Sequence, residues 1–206
     1  MVIAIDGPAG AGKSTVARAV AAQLGFTFLD TGAMYRCVAL GALESGAAAA
    51  DVAEHAAIEV GERVLLDGRD VTKAIRTPAV SAKASEVARD PAVRAALVRR
   101  QRELLASGDW VAEGRDIAQV VAPDAEVKVF LYADPAERAR RRAQERGAAV
   151  DDVLRAQRER DRRDQTEGRS VFEPAPDAVP IDTTTLTVDD VVDQIATLVV
   201  EAQEIR

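Results

Sequence analysis

The chain has 206 residues, enough for one compact domain with room for an insertion. Its 48% hydrophobic content supports a full core, and no run approaches the roughly 18 apolar residues that a spanning helix needs. A net charge of −7 gives a surface unsuited to nucleic acid or anionic membranes, so any phosphate it holds must be held by local clusters.

In chain order, VIAID (residues 2–6) is a β-branched apolar run closed by Gly-Pro and predicts a buried strand. Met1 leads straight into it, without the basic start and cleavage site of a signal peptide. Apolar residues at helical spacing predict a helix over 13–24, stopped by Gly25. TFLDTG then predicts a second strand ending in a polar turn, which completes a βαβ unit and hence a parallel sheet. The Ala-rich stretch from Ala33 to Gly61 reads as helical. ERVLLDGRDVT follows as a hairpin about Asp67-Gly68.

Two helices come next, divided at Asp90-Pro91, an N-cap aspartate before a proline at the first helical position. DWVAEG and EVKVFLYAD are predicted buried strands, each followed by helical character. Residues 135–168 are helical and heavily charged, AVPIDTT is a final strand, and an amphipathic helix runs from about Val188 to Val200. Cys37 is the only cysteine and His55 the only histidine, so neither an internal disulfide nor a Cys/His zinc site is expected. A soluble cytoplasmic protein is the resulting expectation.

Gly7-Pro8-Ala9-Gly10-Ala11-Gly12-Lys13-Ser14, followed by Thr15, matches G-x-x-x-x-G-K-S/T between a predicted strand and a predicted helix. Glycines let backbone N–H groups turn inward as an anion nest, and the following helix aims its N-terminal amides at the same point. Lys13 would reach the β- and γ-phosphates and the Ser14 hydroxyl would ligate Mg²⁺, so ATP with Mg²⁺ is the expected ligand. No Asn-Lys-x-Asp base-reading motif of GTPases occurs, and the chain is short for a motor or helicase. A small-molecule kinase is favoured.

Asp30-Thr31-Gly32-Ala33-Met34-Tyr35-Arg36 ends the second strand, and Glu113-Gly114-Arg115-Asp116 ends a later one. In a parallel sheet, ligands bind beyond the carboxyl ends of the strands, so both segments should face the phosphate-loop cleft. Each carries a carboxylate and a guanidinium, which suits an acceptor with a phosphate and hydrogen-bonding groups. Arginine abundance is weaker support: only four of 27 basic residues are lysine, a bias that a GC-rich genome also produces.

DGPAGAGKS, DTGAMYR and EGRD, in that order and spacing, resemble the bacterial cytidylate kinase family. The resemblance continues through IRTPAVSAKAS, PAVRAALVRRQR and ERDRRD to AVPIDTTTLTVDDVV. It implies a P-loop NTPase three-layer α/β fold with a parallel five-stranded sheet, an inserted acceptor-binding domain and a helical lid. The implied division is core over 1–35, an inserted CMP-binding region over 36–95, core over 96–149, a lid over 150–172, and a core strand and helix over 173–206. The implied reaction carries the γ-phosphoryl group of ATP to CMP or dCMP. The alternatives are another kinase of this fold, acting on UMP or shikimate, or a regulator that holds ATP without transfer.

The resemblance also implies roles. Arg36, Arg94 and Arg115 would converge on the acceptor phosphate, with Gly114 beside them, and Lys13, Arg115, Asp116 and Arg160 would be catalytic. Thr31 and Ser85 would contact the acceptor, Ser85 and Arg76 at the cytosine edge. Asp116 would read the base amino group or order the Mg²⁺ shell. Asp30 would orient an arginine or a metal-bound water, and Tyr35 would wall the pocket or sit in the core.

Eleven arginines and nine acids crowd residues 134–169, read either as solvated helices laced with i,i+4 pairs or as a lid that closes over the polyphosphate. Arg160 and Asp164 would reach the acceptor sugar and phosphate, and Arg141 would pack on adenine. The sequence departs from the family at Glu167, where an arginine is usual; Arg169 lies two residues on. Trp110 is expected in the core beside its strand, and a monomer is expected.

Overall fold

The computed structural model describes residues 1–166 and 173–204, without the side chains of 145, 146 and 159–166. Its strands are β1 (Val2–Asp6), β2 (Thr27–Asp30), β3 (Ile58–Val60), β4 (Val64–Leu66), β5 (Arg69–Asp70), β6 (Trp110–Glu113), β7 (Val127–Tyr132) and β8 (Val179–Asp182). Its α-helices are α1 (Lys13–Leu24), α2 (Thr31–Ser45), α3 (Ala49–His55), α4 (Pro78–Val87), α5 (Pro91–Leu105), α6 (Pro135–Arg146), α7 (Val150–Thr166) and α8 (Val188–Glu204). A short 3₁₀ turn covers Ala74–Arg76 and a single π-helical turn covers Ile117–Val121.

A five-stranded parallel sheet runs in the order β2-β6-β1-β7-β8. Strand β1 is in the middle, with Ile3 opposite Val111 on one side and Val127 on the other. Ile3, Ala4 and Ile5 are fully buried, as an apolar strand covered on both faces must be. The core cluster against it takes Val16 and Val20 from α1, Val129 and Leu131 from β7, and Val191 and Ile195 from α8. This is an α/β fold.

The chain divides into two compact units, Met1–Phe28 with Asp109–Arg206, and Leu29–Gly108. The first holds β1, α1 and everything from β6 onward. Helices α6 and α7 meet through the buried Ala139, Ala143 and Val153, and Gly147 (φ 61°) ends α6. The second unit packs α2 to α5 with the antiparallel sheet β3-β4-β5 around Met34, Val38, Ile75 and Leu97. Asp67 (φ 51°) and Gly68 (φ 76°) form its hairpin turn, as the sequence indicates.

Three local expectations are corrected. DTG is a helix start rather than a polar turn, because Asp30 accepts the Ala33 N–H at 2.8 Å and α2 begins at Thr31. Ile58–Val60 is a strand within the stretch read as helical, because Ile58 pairs with Leu66 and Val60 with Val64. The helical character expected directly after β6 is a single π-helical turn, Ile117–Val121, and not an α-helix. The Ala122 N–H bonds the Ile117 carbonyl at 2.8 Å, one wide turn, and Pro123 cannot extend it.

Candidate active site

The phosphate loop leaves the end of β1 in the first unit. A Cβ on Gly7 would lie 2.0 Å from the Leu131 carbonyl oxygen, so β7 sets glycine there by close approach. Gly12 has open space around it but φ of 89°, so its requirement is conformational. It is the N-cap of α1, which has no side-chain cap and no acidic residue in its first turn. The positive end of α1 is thereby directed at the loop, where an anion is favoured. Lys13 is half-buried and its Nζ donates to the Pro8 carbonyl at 2.9 Å, which holds the ammonium across the loop. Ser14 and Thr15 are exposed at the start of the helix.

Arg138, on α6, is 3% exposed, and nothing in the sequence marks it as a site residue. Its Nη1 donates to the Ala9 carbonyl at 3.1 Å and its Nε to the Ala133 carbonyl at 3.2 Å. The guanidinium therefore ties the tip of the phosphate loop to the start of α6.

Beside the loop lies a cavity of about 580 Å³, lined in part by Gly12, Thr15, Arg141, Gln144, Thr184 and Val188. Arg141 is locked in place at its edge. Its Nε donates to Glu137 at 2.8 Å, its Nη1 to the Thr183 hydroxyl at 3.1 Å, and its Nη2 to the Thr183 carbonyl at 2.5 Å. The buried Thr183 hydroxyl lies 3.1 Å from both the Ala11 and the Tyr132 carbonyl oxygens, joining the phosphate loop to β7. Hydrogen bonding from Arg140, and then from Arg141, pulls the Glu137 carboxyl down to about 2. The sequence marks Arg141 but not Thr183, Thr184, Gln144 or Glu137.

Gly114, Arg115 and Asp116 are half-buried beyond β6. The Gly114 N–H donates to the Ile5 carbonyl at 3.0 Å, which continues the β1–β6 pairing into this loop. Asp6, at the end of β1, accepts the Ile117 and Ala118 N–H groups at 2.8 Å each. Burial pushes its carboxyl up to about 6, opposed by those two N–H groups and by the Lys13 charge.

In the second unit, Asp30 Oδ2 accepts from Arg36 Nη2 at 2.9 Å. A Cβ on Gly32 would come within 3.2 Å of both Arg36 Nη1 and Asp30 Oδ1, so glycine leaves room for this pair. Thr31 is buried and Tyr35 half-buried on the first turns of α2. Burial pushes the adjacent Cys37 thiol up to about 12, which removes it as a nucleophile.

Ser85 is half-buried on α4, its hydroxyl donating to the Ser81 carbonyl at 3.3 Å. Arg76 is exposed at the end of the 3₁₀ turn, and Arg94 is half-buried on α5. Arg160 and Asp164 fall within α7, but their side chains lie outside the described residues, as do Glu167 and Arg169 altogether. Trp110 is half-buried at the start of β6. Among the described residues no helix is long and apolar enough to cross a membrane.

Comparison with known proteins adds a family. The family model described as cytidylate kinase matches residues 3–201. A cytidylate kinase of Pelotomaculum thermopropionicum is 51% identical over 210 residues, covering 94% of this chain and 93% of that protein. One of Solibacter usitatus is 47% identical over 213 residues, covering 97% and 92%. Among solved structures, shikimate kinase from Acinetobacter baumannii in complex with shikimate aligns with a TM-score of 0.52 at 20% identity, covering 97% of this chain and 93% of that one. A gluconokinase from Sinorhizobium meliloti aligns at 0.51 and 20% identity, covering 99% and 94%. At such identity these two share the fold alone.

Proposed function

We infer the working of the site from one premise: the chain belongs to the cytidylate kinase family. It transfers the γ-phosphoryl group of ATP to CMP or dCMP, forming ADP and CDP or dCDP. The observation that carries the residue assignments is the anion cradle at the start of α1, with Gly12 uncapped and Lys13 across the loop. UMP or shikimate transfer, and ATP holding without transfer, are not favoured by this family.

The donor triphosphate is assigned to the backbone of Gly7, Pro8, Ala9, Gly10, Ala11 and Gly12 with Lys13, Ser14 and Thr15. Lys13 draws the β- and γ-phosphates together, and charge spread over the transferring group is stabilised electrostatically. The adenosine is assigned to the cavity edged by Arg141, whose guanidinium plane is held by Glu137 and Thr183 and so offers a stacking face.

Mg²⁺ fits this donor set. Among the described residues no group of three or more His, Cys, Asp or Glu side chains could hold a metal. An ion here must then take most ligands from phosphate oxygens and water, which is the usual manner of Mg²⁺ with nucleotides. Ser14 would supply its hydroxyl and Asp116 would act through water. The ion, when bound, neutralises charge on the β- and γ-oxygens.

For the acceptor, Arg36, Arg94, Arg115 and Arg160 are assigned to the CMP phosphate and Asp164 to the sugar side. An acceptor dianion repels the γ-phosphate, so guanidinium groups must screen it before in-line attack. Thr31, Tyr35 and Gly114 line the acceptor, and Ser85, Arg76 and Asp116 face the cytosine edge, whose N4 donor and N3 and O2 acceptors suit hydroxyl, guanidinium and carboxylate. Asp30 supports Arg36. Residues 36–95 serve as the CMP-binding region and 150–172 as the lid that keeps water from the γ-phosphate. We assign the protein to the cytoplasm, as a monomer.

The test is ADP release with ATP and, in parallel, CMP, dCMP, UMP, AMP and shikimate. Turnover is expected to be best with CMP or dCMP. Best turnover with any other acceptor overturns the assignment.

A further inference from the structure

The loop assigned to the acceptor is followed by a turn that its own residues do not cap. Asp116 is the N-cap residue of the π-helical turn Ile117–Val121, yet its side chain makes no capping hydrogen bond. The cap comes instead from Asp6, 111 residues earlier in the chain. Its two carboxylate oxygens are divided between two N–H groups, Oδ1 taking Ile117 and Oδ2 taking Ala118, each at 2.8 Å.

Asp6 is 5% exposed, in the last position of the central strand and one residue before the phosphate loop. Its backbone is fixed by the sheet, in register with Phe130 of β7. The neighbouring residue, Ile5, holds Gly114 through its carbonyl at 3.0 Å. Arg115 and Asp116 are therefore clamped from both sides: Gly114 before them by the strand backbone, Ile117 and Ala118 after them by the Asp6 carboxylate.

Such a cap is costly. A buried carboxylate meets a desolvation penalty that two neutral N–H donors only partly offset, and Asp116 adds like-charge repulsion. Serine or asparagine would cap a turn without a buried charge. What a carboxylate adds is two equivalent acceptors on one rigid plane, which fixes consecutive peptide groups together.

We propose that Asp6 is a positioning residue for phosphoryl transfer: it sets Arg115 and Asp116 in register with the phosphate loop by pinning the turn that follows them. The proposal rests on the assignment of Arg115 to the acceptor phosphate. It separates two roles within ten residues of sequence, because Asp6 serves the acceptor while Gly7–Thr15 serve the donor.

The experiment compares Asp6→Asn, Asp6→Ser, Arg115→Ala and the double variant Asp6→Asn/Arg115→Ala. Each is assayed for kcat and for the KM of CMP, with ATP affinity read separately by titration with a fluorescent ATP analogue and folding by thermal melting. Asp6→Asn keeps the shape but turns an N–H₂ toward an N–H donor. It is expected to lower kcat/KM for CMP at least tenfold while the ATP-analogue Kd stays within about twofold. Asp6→Ser tests the same point with a smaller group should Asp6→Asn fail to fold, and is expected to show the same acceptor-selective loss.

In the double variant, Asp6→Asn is expected to add clearly less to the loss than it causes in the wild type, because one of the two residues it positions is already gone. Fully multiplicative losses, or an ATP affinity that falls as much as CMP use, overturn the positioning role. Unchanged CMP kinetics in Asp6→Asn or in Asp6→Ser also overturn it. Arg115→Ala with wild-type CMP kinetics removes the acceptor assignment itself, and the inference with it.

Discussion

Asp30 holds Arg36 with one carboxylate oxygen at 2.9 Å while its other oxygen caps, at 2.8 Å, the helix that carries that arginine. One side chain thus starts α2 and aims the guanidinium projecting from its second turn. The pair is partly enclosed, with Asp30 buried and Arg36 half-buried, so water screens it less than a surface pair.

The two duties of Asp30 separate by substitution. Asp30→Asn keeps a capping oxygen, since asparagine is as good an N-cap as aspartate, but loses the charge that attracts Arg36. Its stability is expected to fall by no more than about 1 kcal/mol, while the KM for CMP rises roughly tenfold, the equivalent of about 1.4 kcal/mol. Asp30→Ala also removes the cap and is expected to melt lower than Asp30→Asn. Steady-state kinetics with thermal melting check both. Equal stability loss in the two variants, or a rise in KM for ATP rather than CMP, contradicts this division.

Gly7 and Gly12 are expected to fail differently when changed to alanine. At Gly7 the new Cβ would meet a backbone carbonyl of β7 at 2.0 Å, so the loop or the strand must move. At Gly12 nothing is near, and the cost is the left-handed backbone alone, about 1–2 kcal/mol. Gly7→Ala is therefore expected to be the more destabilised variant and to lose binding of an ATP analogue. Denaturant unfolding compares them. Equal unfolding free energies are the contrary result.

What the sequence made legible was local. The phosphate loop, the Asp67-Gly68 turn, the Asp90-Pro91 helix start and the buried strands are each written in a few adjacent residues, and each stands where those residues put it. Three residues that the sequence does not mark act at long range. Asp6, Arg138 and Thr183 meet their partners 111, 129 and 172 residues away along the chain. A carboxylate at the end of a strand, one arginine among eleven and one threonine in TTT carry no local signature. Ile58–Val60 reads as helical for the same reason, since its strand character comes from pairing with β4 and not from its Ala-rich neighbours.

Arg138 yields a sharper expectation than its charge-rich surroundings suggest. Its guanidinium serves two carbonyls, Ala9 and Ala133, in different directions, and a lysine ammonium on a single stem does not span both. Arg138→Lys leaves one buried carbonyl short of a donor, a cost of about 1–3 kcal/mol. Because Ala9 lies in the phosphate loop, the ATP-analogue Kd is expected to rise as stability falls. Arg140→Lys, on the exposed face of the same helix, is the comparison, with stability near wild type. Matching behaviour of the two variants counts against a loop-anchoring role for Arg138.

The last expectation concerns pH and Glu137. Hydrogen bonds from Arg140 and Arg141 lower its carboxyl from the usual 4.5 to about 2, so the folded state favours the ionised form. For a depressed carboxyl the stabilisation is fully present above its unfolded value and is lost as pH falls towards the folded one. The wild-type advantage over Glu137→Gln in melting temperature should hence be constant from pH 7 to about 5.5 and shrink between about 4.5 and 2. Since Glu137 also holds Arg141 at the cavity edge, the same variant should raise the KM for ATP at pH 7. Parallel melting curves down to pH 3, or an advantage that grows in acid, would mean that the two arginines do not depress this carboxyl.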